Sequence, residues 1–254
     1  MLPFFASLPK CVVAMEACAS AHHWGREIGA LGHEVRLIAP AYVKPFVKRQ
    51  KNDAADAEAI AEAASRATMR FVPVKSAAKQ GACMVFKARD LLVRQRTQTV
   101  NALRGHLAEY GVIAPQGLAH LSRLVTAMDD AKGKLPAVVI VLCAMLIEHI
   151  ACLDRQIAIL DKELRNRARQ DELAKRLMTI PGVGAICATA LQALAPPAEV
   201  FAKGRDFAAW LGLTPKQASS GGKTRLGRTS KMGQRDLRRL LIIGAMAVVR
   251  WAAH

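Results

Sequence analysis

With 254 residues the chain exceeds one average domain and has room for about two. Its 52% hydrophobic and 22% charged residues are those of a folded protein and exclude a disordered tail. Lys and Arg number 37 against 20 Asp and Glu, a formal charge of +17 that far exceeds what solubility requires, so a polyanion is the expected partner. A ribosomal-type protein and a membrane-surface binder are the alternatives that charge alone leaves open.

From Lys10 to Val74, short β-branched runs alternate with helical ones. Residues Cys11 to Met15 read as a buried strand, Ser20 to Leu31 as a helix stopped by Gly32, and Glu34 to Ile38 as a second strand closed by Pro40. A further helix starts near Asp53 with Asn52 as its N-cap, and Phe71 to Val74 form a third strand. This order predicts an α/β layer over 1–75. From 76 to 169 the pattern predicts helices interrupted near Pro115-Gln116-Gly117 and Gly133. In the second long segment Val139, Cys143, Leu146, Ile150, Leu153, Ile157, Leu160 and Leu164 repeat at spacings of four and three, a heptad seam. It fits either a dimeric coiled coil or an intramolecular helix pair. Residues 170–254 read as Gly-punctuated short helices with a basic loop.

The six cysteines lie scattered on apolar stretches with no C-x-x-C pair, as in a reduced, cytosolic protein. The N-terminus lacks the pattern of a signal peptide, and the longest uncharged run, Leu135 to Ile147, is too short to span a bilayer. No membrane partner is expected. Aromatic residues at 5% argue against single-strand stacking platforms as the binding device.

Three motifs carry candidate chemistry. In Lys51-Asn52-Asp53-Ala54-Ala55-Asp56-Ala57-Glu58, two aspartates three apart share a helix face. They either share a hard cation, with Glu16 at the end of the first strand as a third ligand, or simply favour the positive end of their helix. In Ile180-Pro181-Gly182-Val183-Gly184, two glycines at a helix start either admit a phosphate to free backbone N–H groups, as in a helix-hairpin-helix, or make an ordinary turn. Between Pro215 and Arg239 the cations Lys216, Lys223, Arg225, Arg228, Lys231 and Arg235 surround Ser219, Ser220, Gly221 and Gly222 with Asp236 as the only acid, so this loop is expected to track a phosphate backbone. It is not a P-loop, because Gln217 stands where a glycine is needed. A nucleophilic serine here lacks an adjacent histidine base. Arg94 and Arg96, on the helix around Lys87 to Arg104, either decorate a solvated face or contact phosphate.

Together these segments resemble the insertion-sequence 110 family of transposases, in its 1111 subgroup, the RNA-bridged DEDD recombinases. The matching stretches are Val-Val-Ala-Met-Glu-Ala-Cys, Leu-Gly-His-Glu-Val-Arg-Leu-Ile-Ala-Pro-Ala-Tyr-Val-Lys-Pro-Phe, Lys-Asn-Asp-Ala-Ala-Asp-Ala-Glu, Ile-Pro-Gly-Val-Gly, Trp-Leu-Gly-Leu-Thr-Pro and Ser-Ser-Gly-Gly-Lys, in the family's order. The resemblance implies an RNase H-like, Holliday-junction-resolvase-like domain over 1–75, a coiled-coil connector over 76–169, and a C-terminal domain with a helix-hairpin-helix over 170–254. It further implies Mg2+ held by Glu16, Asp53 and Asp56, and Ser220 as a nucleophile forming a phosphoserine link, activated by acids across a subunit interface. DNA, a structured guide RNA and further copies of the chain are the implied partners, in a cytoplasmic, nucleoid-associated setting. The family's first Asp has no counterpart before Glu16, and the sequence stops inside an apolar run, so truncation at both ends is expected. The leading expectation is therefore a DNA-cleaving and rejoining transposase. The alternatives are an inactive, truncated relative that only binds nucleic acid and a basic coiled-coil assembly protein.

Overall fold

The computed structural model describes residues 1–48 and 52–252, so Lys51, which opens the acidic motif, and the terminal His254 lie outside the described residues. The chain forms two compact units, Met1–Gly81 with Pro196–Val200, and Ala82–Ala195 with Phe201–His254.

The first unit contains α1 (Leu2–Ala6), β1 (Val12–Glu16), α2 (Ala21–Ala30), β2 (Glu34–Ile38), α3 (Pro40–Val43), α4 (Asp53–Ser65) and β3 (Phe71–Val72). The strands order β1-β2-β3. β1 and β2 run parallel, with Val12 opposite Glu34 and Glu16 opposite Ile38, so the chain between them must cross over, and α2 makes that crossing. β3 is antiparallel to β2 and ends at Val72, short of the expected Val74, because Pro73 has no N–H to extend the ladder. Ile38, Val43, Ala59 and Ala63 are buried together, with Phe46, Ile60, Met69 and Phe71 packed on them. Two features of α4 follow from its sequence. Asn52 caps it by accepting the Ala55 N–H at 2.8 Å, and its alanines carry no bulk that would hold it away from the sheet. On α2, His22 Nδ1 accepts the Lys75 N–H at 3.2 Å while Arg26 donates to the Lys75 carbonyl at 2.9 Å, clamping the backbone beyond β3. Partial burial, with Lys75 and Arg26 nearby, holds His22 below its ordinary pKa and so favours the neutral ring this bond requires.

The second unit is largely helical: α5 (Ala77–Ala108, whose first turn belongs to the first unit), α6 (Leu121–Asp130), α7 (Ala137–Gln170), α8 (Glu172–Leu177), α9 (Ala185–Leu194), α10 (Gly204–Trp210), the strands β4 (Pro215–Gln217) and β5 (Leu226–Thr229), and α11 (Arg235–Ala252). The heptad seam of α7 is filled from within the chain. Cys143 and Ile150 share a core with Val100, Leu103 and Leu107 of α5 and Leu124 and Met128 of α6. Arg96 Nη1 meets Asp154 at 2.6 Å, and Arg89 pairs with Asp161, seven residues back on one helix and seven forward on the other, so α5 and α7 run antiparallel. Arg104 donates to the carbonyls of Ala114, Pro115 and Gly117 at 3.2, 2.7 and 2.8 Å and pins the loop leading to α6.

The helices expected as a connector and the expected C-terminal region pack as one unit, because Cys83 and Phe86 of α5 and Leu164 of α7 share a core with α9, Leu211 and Leu237 of α11. By length and composition α7 is apolar enough to cross a membrane, with a mean hydropathy of 2.2 over its most apolar window, so the short uncharged run understated it. Its seam face is nonetheless committed to α5 and α6.

Candidate carboxylate site and serine hairpin

In the first unit Glu16 ends β1, half-buried, and α4 packs on β1 and β2. Asp53 and Asp56 occupy the first turn of α4, Asp53 exposed and Asp56 half-buried, where the positive end of the helix stabilises both charges. Between β1 and α2 the backbone turns sharply. Ala17 donates to the Ile38 carbonyl at 2.7 Å, and Ser20 begins α2 at φ +67°, a left-handed conformation that costs energy in any non-glycine residue. The oxygens of Glu16, Asp53 and Asp56 are of the type that hard cations take. Among the described residues, however, no three acids, histidines or cysteines gather closely enough to hold a metal by themselves. A cation here would complete its shell with oxygens from water or a bound phosphate.

In the second unit the expected basic loop is a β-hairpin. β4 and β5 pair antiparallel, with Pro215 opposite Thr229 and Gln217 opposite Leu226, and the ladder runs on through the Ala218 N–H to the Arg225 carbonyl at 2.9 Å. Ser220 bridges Lys223 across a two-residue tip, where Gly221 and Gly222 adopt φ +56° and +75°. A turn with two positive φ angles matches the twist of so short a hairpin and is readily adopted by two glycines, so Ser-Gly-Gly-Lys encodes it. Side chains alternate on such a ribbon, which puts Ser220, Lys223 and Arg225 on one face and Ser219 and Thr224 on the other. The two serines differ in duty: Ser219 Oγ accepts the Arg225 N–H at 3.0 Å, whereas the Ser220 hydroxyl makes no such bond among the described residues.

The base of the hairpin is held by hydrogen bonds. Lys231 donates to the Gly212 carbonyl at 3.0 Å, Gln234 to the Trp210 carbonyl at 3.0 Å, and the buried Arg238 guanidinium to the Leu211 carbonyl at 2.7 Å. The Trp-Leu-Gly-Leu-Thr-Pro segment is therefore the socket that aims the hairpin.

The other expected contacts divide. Lys216, Lys223, Arg225, Arg228, Lys231 and Arg235 are exposed and pair with no acid among the described residues. Arg96 is 19% exposed and spent on Asp154, while Arg94, 64% exposed, meets Asp90 at 3.2 Å. Gly182, at φ +83°, lies against α11 so closely that a Cβ there would stand 2.6 Å from the Gly244 carbonyl oxygen, which explains this glycine by packing. Gly184 is open, precedes the first turn of α9, and has no side chain to cap it, so the early N–H groups of α9 are left for an outside acceptor. Asp171 caps α8 by accepting the Ala174 N–H at 2.8 Å, which holds its carboxyl below the usual range. Reading the sequence alone missed the structural duty of Arg104 and Arg238, since nothing in spacing separates an inward arginine from an outward one.

Two segments of the chain match known families. Residues 4–112 match a model of the DEDD transposase of the IS110 type, and residues 174–254 match a model described as transposase, IS116/IS110/IS902 family. A protein of Pseudomonas aeruginosa named "Probable family 20 transposase" is 49% identical over 99% of this chain and 75% of its own length. The transposase for insertion sequence element IS1328 of Yersinia enterocolitica is 43% identical over 94% of this chain and 71% of its own. That for insertion sequence element IS1111A of Coxiella burnetii is 41% identical over 96% and 68%. The chain thus spans about two thirds to three quarters of these relatives. The two family models, together with relatives 41–49% identical over 94–99% of this chain, place it in the IS110/IS116/IS902 family of transposases.

Proposed function

We propose that this transposase cuts and rejoins DNA through a covalent link at Ser220. Ser220 Oγ attacks a DNA phosphorus, the Oγ–P bond forms as the P–O bond to one sugar breaks, and the serine proton ends on the displaced sugar oxygen. Attack on the phosphoserine by another sugar hydroxyl reverses the exchange and returns the proton to Ser220. Each step trades one phosphodiester for another, so no external energy source is needed. Lys223, opposite Ser220, and Arg225 on the same face hold the phosphate near the tip, and Arg228, Lys216, Lys231 and Arg235 track the flanking backbone. Glu16, Asp53 and Asp56 would hold Mg2+, and the ion, when bound, would supply charge neutralisation at a phosphate.

The observation that carries this proposal is the unequal duty of the two serines: Ser219 Oγ is used to brace the hairpin, and the Ser220 hydroxyl at the exposed tip is not. α8, the loop through Gly182 and Gly184, and α9 serve as a helix-hairpin-helix that grips a second stretch of backbone. The surplus charge also suits a structured guide RNA. Exposed Val138, Val141, Leu142 and Met145 recur along α7 at helical spacing and suit a homo-oligomer. The setting is the cytoplasm, at the nucleoid.

The test is to incubate the protein with Mg2+ and DNA carrying the element's ends and to look for a denaturant-resistant protein–DNA adduct. The adduct is expected to form, to vanish in Ser220→Ala and to persist in Ser219→Ala. An adduct that survives Ser220→Ala sinks the proposal. That no three acids gather among the described residues favours a second reading, a chain that binds nucleic acid without chemistry. Salt-sensitive binding with no adduct at any metal concentration would select it.

A further inference from the structure

The first unit has an open cavity of about 630 Å³ on the side formed by α3, the turn after it and the segment between α4 and β3. Tyr42, Phe46, Arg66, Thr68 and Arg70 are among its walls. None of them belongs to the carboxylate cluster or the hairpin. Their chemistry is of two kinds. Tyr42 is 50% exposed, a large aromatic ring left in water where burial would be favourable, and the Arg66 guanidinium lies 5.6 Å from the centroid of the Phe46 ring, a cation–π contact. Arg70 and Thr68 are exposed, and Arg70 meets no acid among the described residues, while Arg66 shares its charge with Glu62. A planar apolar ligand with an attached anion satisfies both kinds of wall at once. Nucleobases stack on aromatic rings and on guanidinium planes alike, and their phosphates take arginine.

We propose that this cavity binds one unpaired nucleotide, its base against Tyr42 and the Arg66–Phe46 pair and its phosphate on Arg70. A base inside a duplex cannot enter a concave site, so the ligand is a nucleotide extruded from a helix or lying in a single-stranded stretch. The low aromatic content of the whole chain is no obstacle, because two rings placed at one cavity suffice. The chemistry is common to DNA and RNA strands. The proposal rests on the chain being a nucleic-acid enzyme but not on Ser220.

The experiment uses the full chain, the Ser220→Ala variant included, and two otherwise identical single strands, one deoxyribose and one ribose, each carrying 5-iodouracil. Irradiation is expected to crosslink a base to Tyr42 or Phe46, located by mass spectrometry of the peptides, and the strand that crosslinks more identifies the natural source. In equilibrium binding, Tyr42→Ala combined with Arg70→Ala is expected to weaken single-strand affinity at least about fivefold, the lower end of what one stacked base contributes, and to leave duplex affinity unaltered. Tyr42→Phe, which keeps the ring, is expected to bind as the parent and controls for folding. Crosslinks only outside this cavity, or equal loss of duplex and single-strand binding, would overturn the proposal. Failure of the parent chain to form the Ser220 adduct, with the crosslink intact, would count against the cleavage chemistry alone.

Discussion

On α5, Arg96 is bonded to Asp154 and Arg104 spends its guanidinium on three backbone carbonyls, whereas on the β4–β5 hairpin Lys223, Arg225 and Arg228 stand in water with no acid among the described residues. Both stretches are basic by composition. The difference lies in what surrounds them. Along α5 an antiparallel partner, α7, brings Asp154 and Asp161 into register with the arginines, and a charge held between packed helices must find a partner or cost stability. A two-stranded ribbon has no neighbour to supply counter-charges, so its cations keep their full attraction for an external polyanion. Net charge therefore overstates the binding surface and understates the scaffold.

The comparison breaks first, if it is wrong, at the hairpin. Replacing Lys223, Arg225 and Arg228 together by Gln removes the three proposed phosphate contacts. The slope of log affinity against log salt for duplex DNA is then expected to become shallower by about 2.7, with affinity near 0.1 M salt lower by about two to three orders of magnitude. The midpoint of denaturant unfolding is expected to move little, within about 0.5 kcal/mol, as for other exposed positions. A triple variant that unfolds early but still binds would reverse the assignment.

Arg104→Ala is the converse. It frees three loop carbonyls and the start of α6, and the expected loss is about 2–4 kcal/mol in urea unfolding, since bonds from a charged donor contribute about 1.5–3 kcal/mol each and water recovers part of them. DNA affinity per folded molecule should not change.

The smallest effect extends the comparison to a titratable cation. His22 serves the backbone of Lys75 as a neutral acceptor, and its folded pKa lies below the ordinary value near 6.5. The unfolded chain therefore binds the proton more readily, so this stabilisation is present above that pH and is lost as pH falls through it toward the folded value. His22→Gln is expected to flatten the pH dependence of the unfolding midpoint between about pH 5 and 7. An unchanged slope would show that the ring does not titrate against the fold.

Much of the layered fold was legible in the chain. Alternation and punctuation placed β1, α2, β2 and α4 within about a residue of where they lie, because strand and helix periods and the Asn52 cap are local properties. Asp53 and Asp56 were singled out by their spacing on one helix face, whereas the choice of Ser220 over Ser219 came from motif resemblance. What was not legible depends on residues distant in sequence. The hairpin passed for a loop because its strands are short, polar and exposed on both faces, which leaves no alternation to detect. The cavity at Tyr42 and Arg66 escaped notice because its walls are contributed by segments some twenty residues apart.

The sequence by itself determined the charge, the order of elements, the heptad seam and the spacing of Asp53 and Asp56, since each follows from residue type and helical or strand period. Tertiary structure alone decided that the α7 seam closes on α5 and α6, that Gly182 is required by Gly244, that Ser219 braces while Ser220 stays free, and that Arg96 faces inward while Arg225 faces out. Those outcomes turn on which distant groups meet, and a linear pattern specifies which face of an element is apolar but not which partner will cover it.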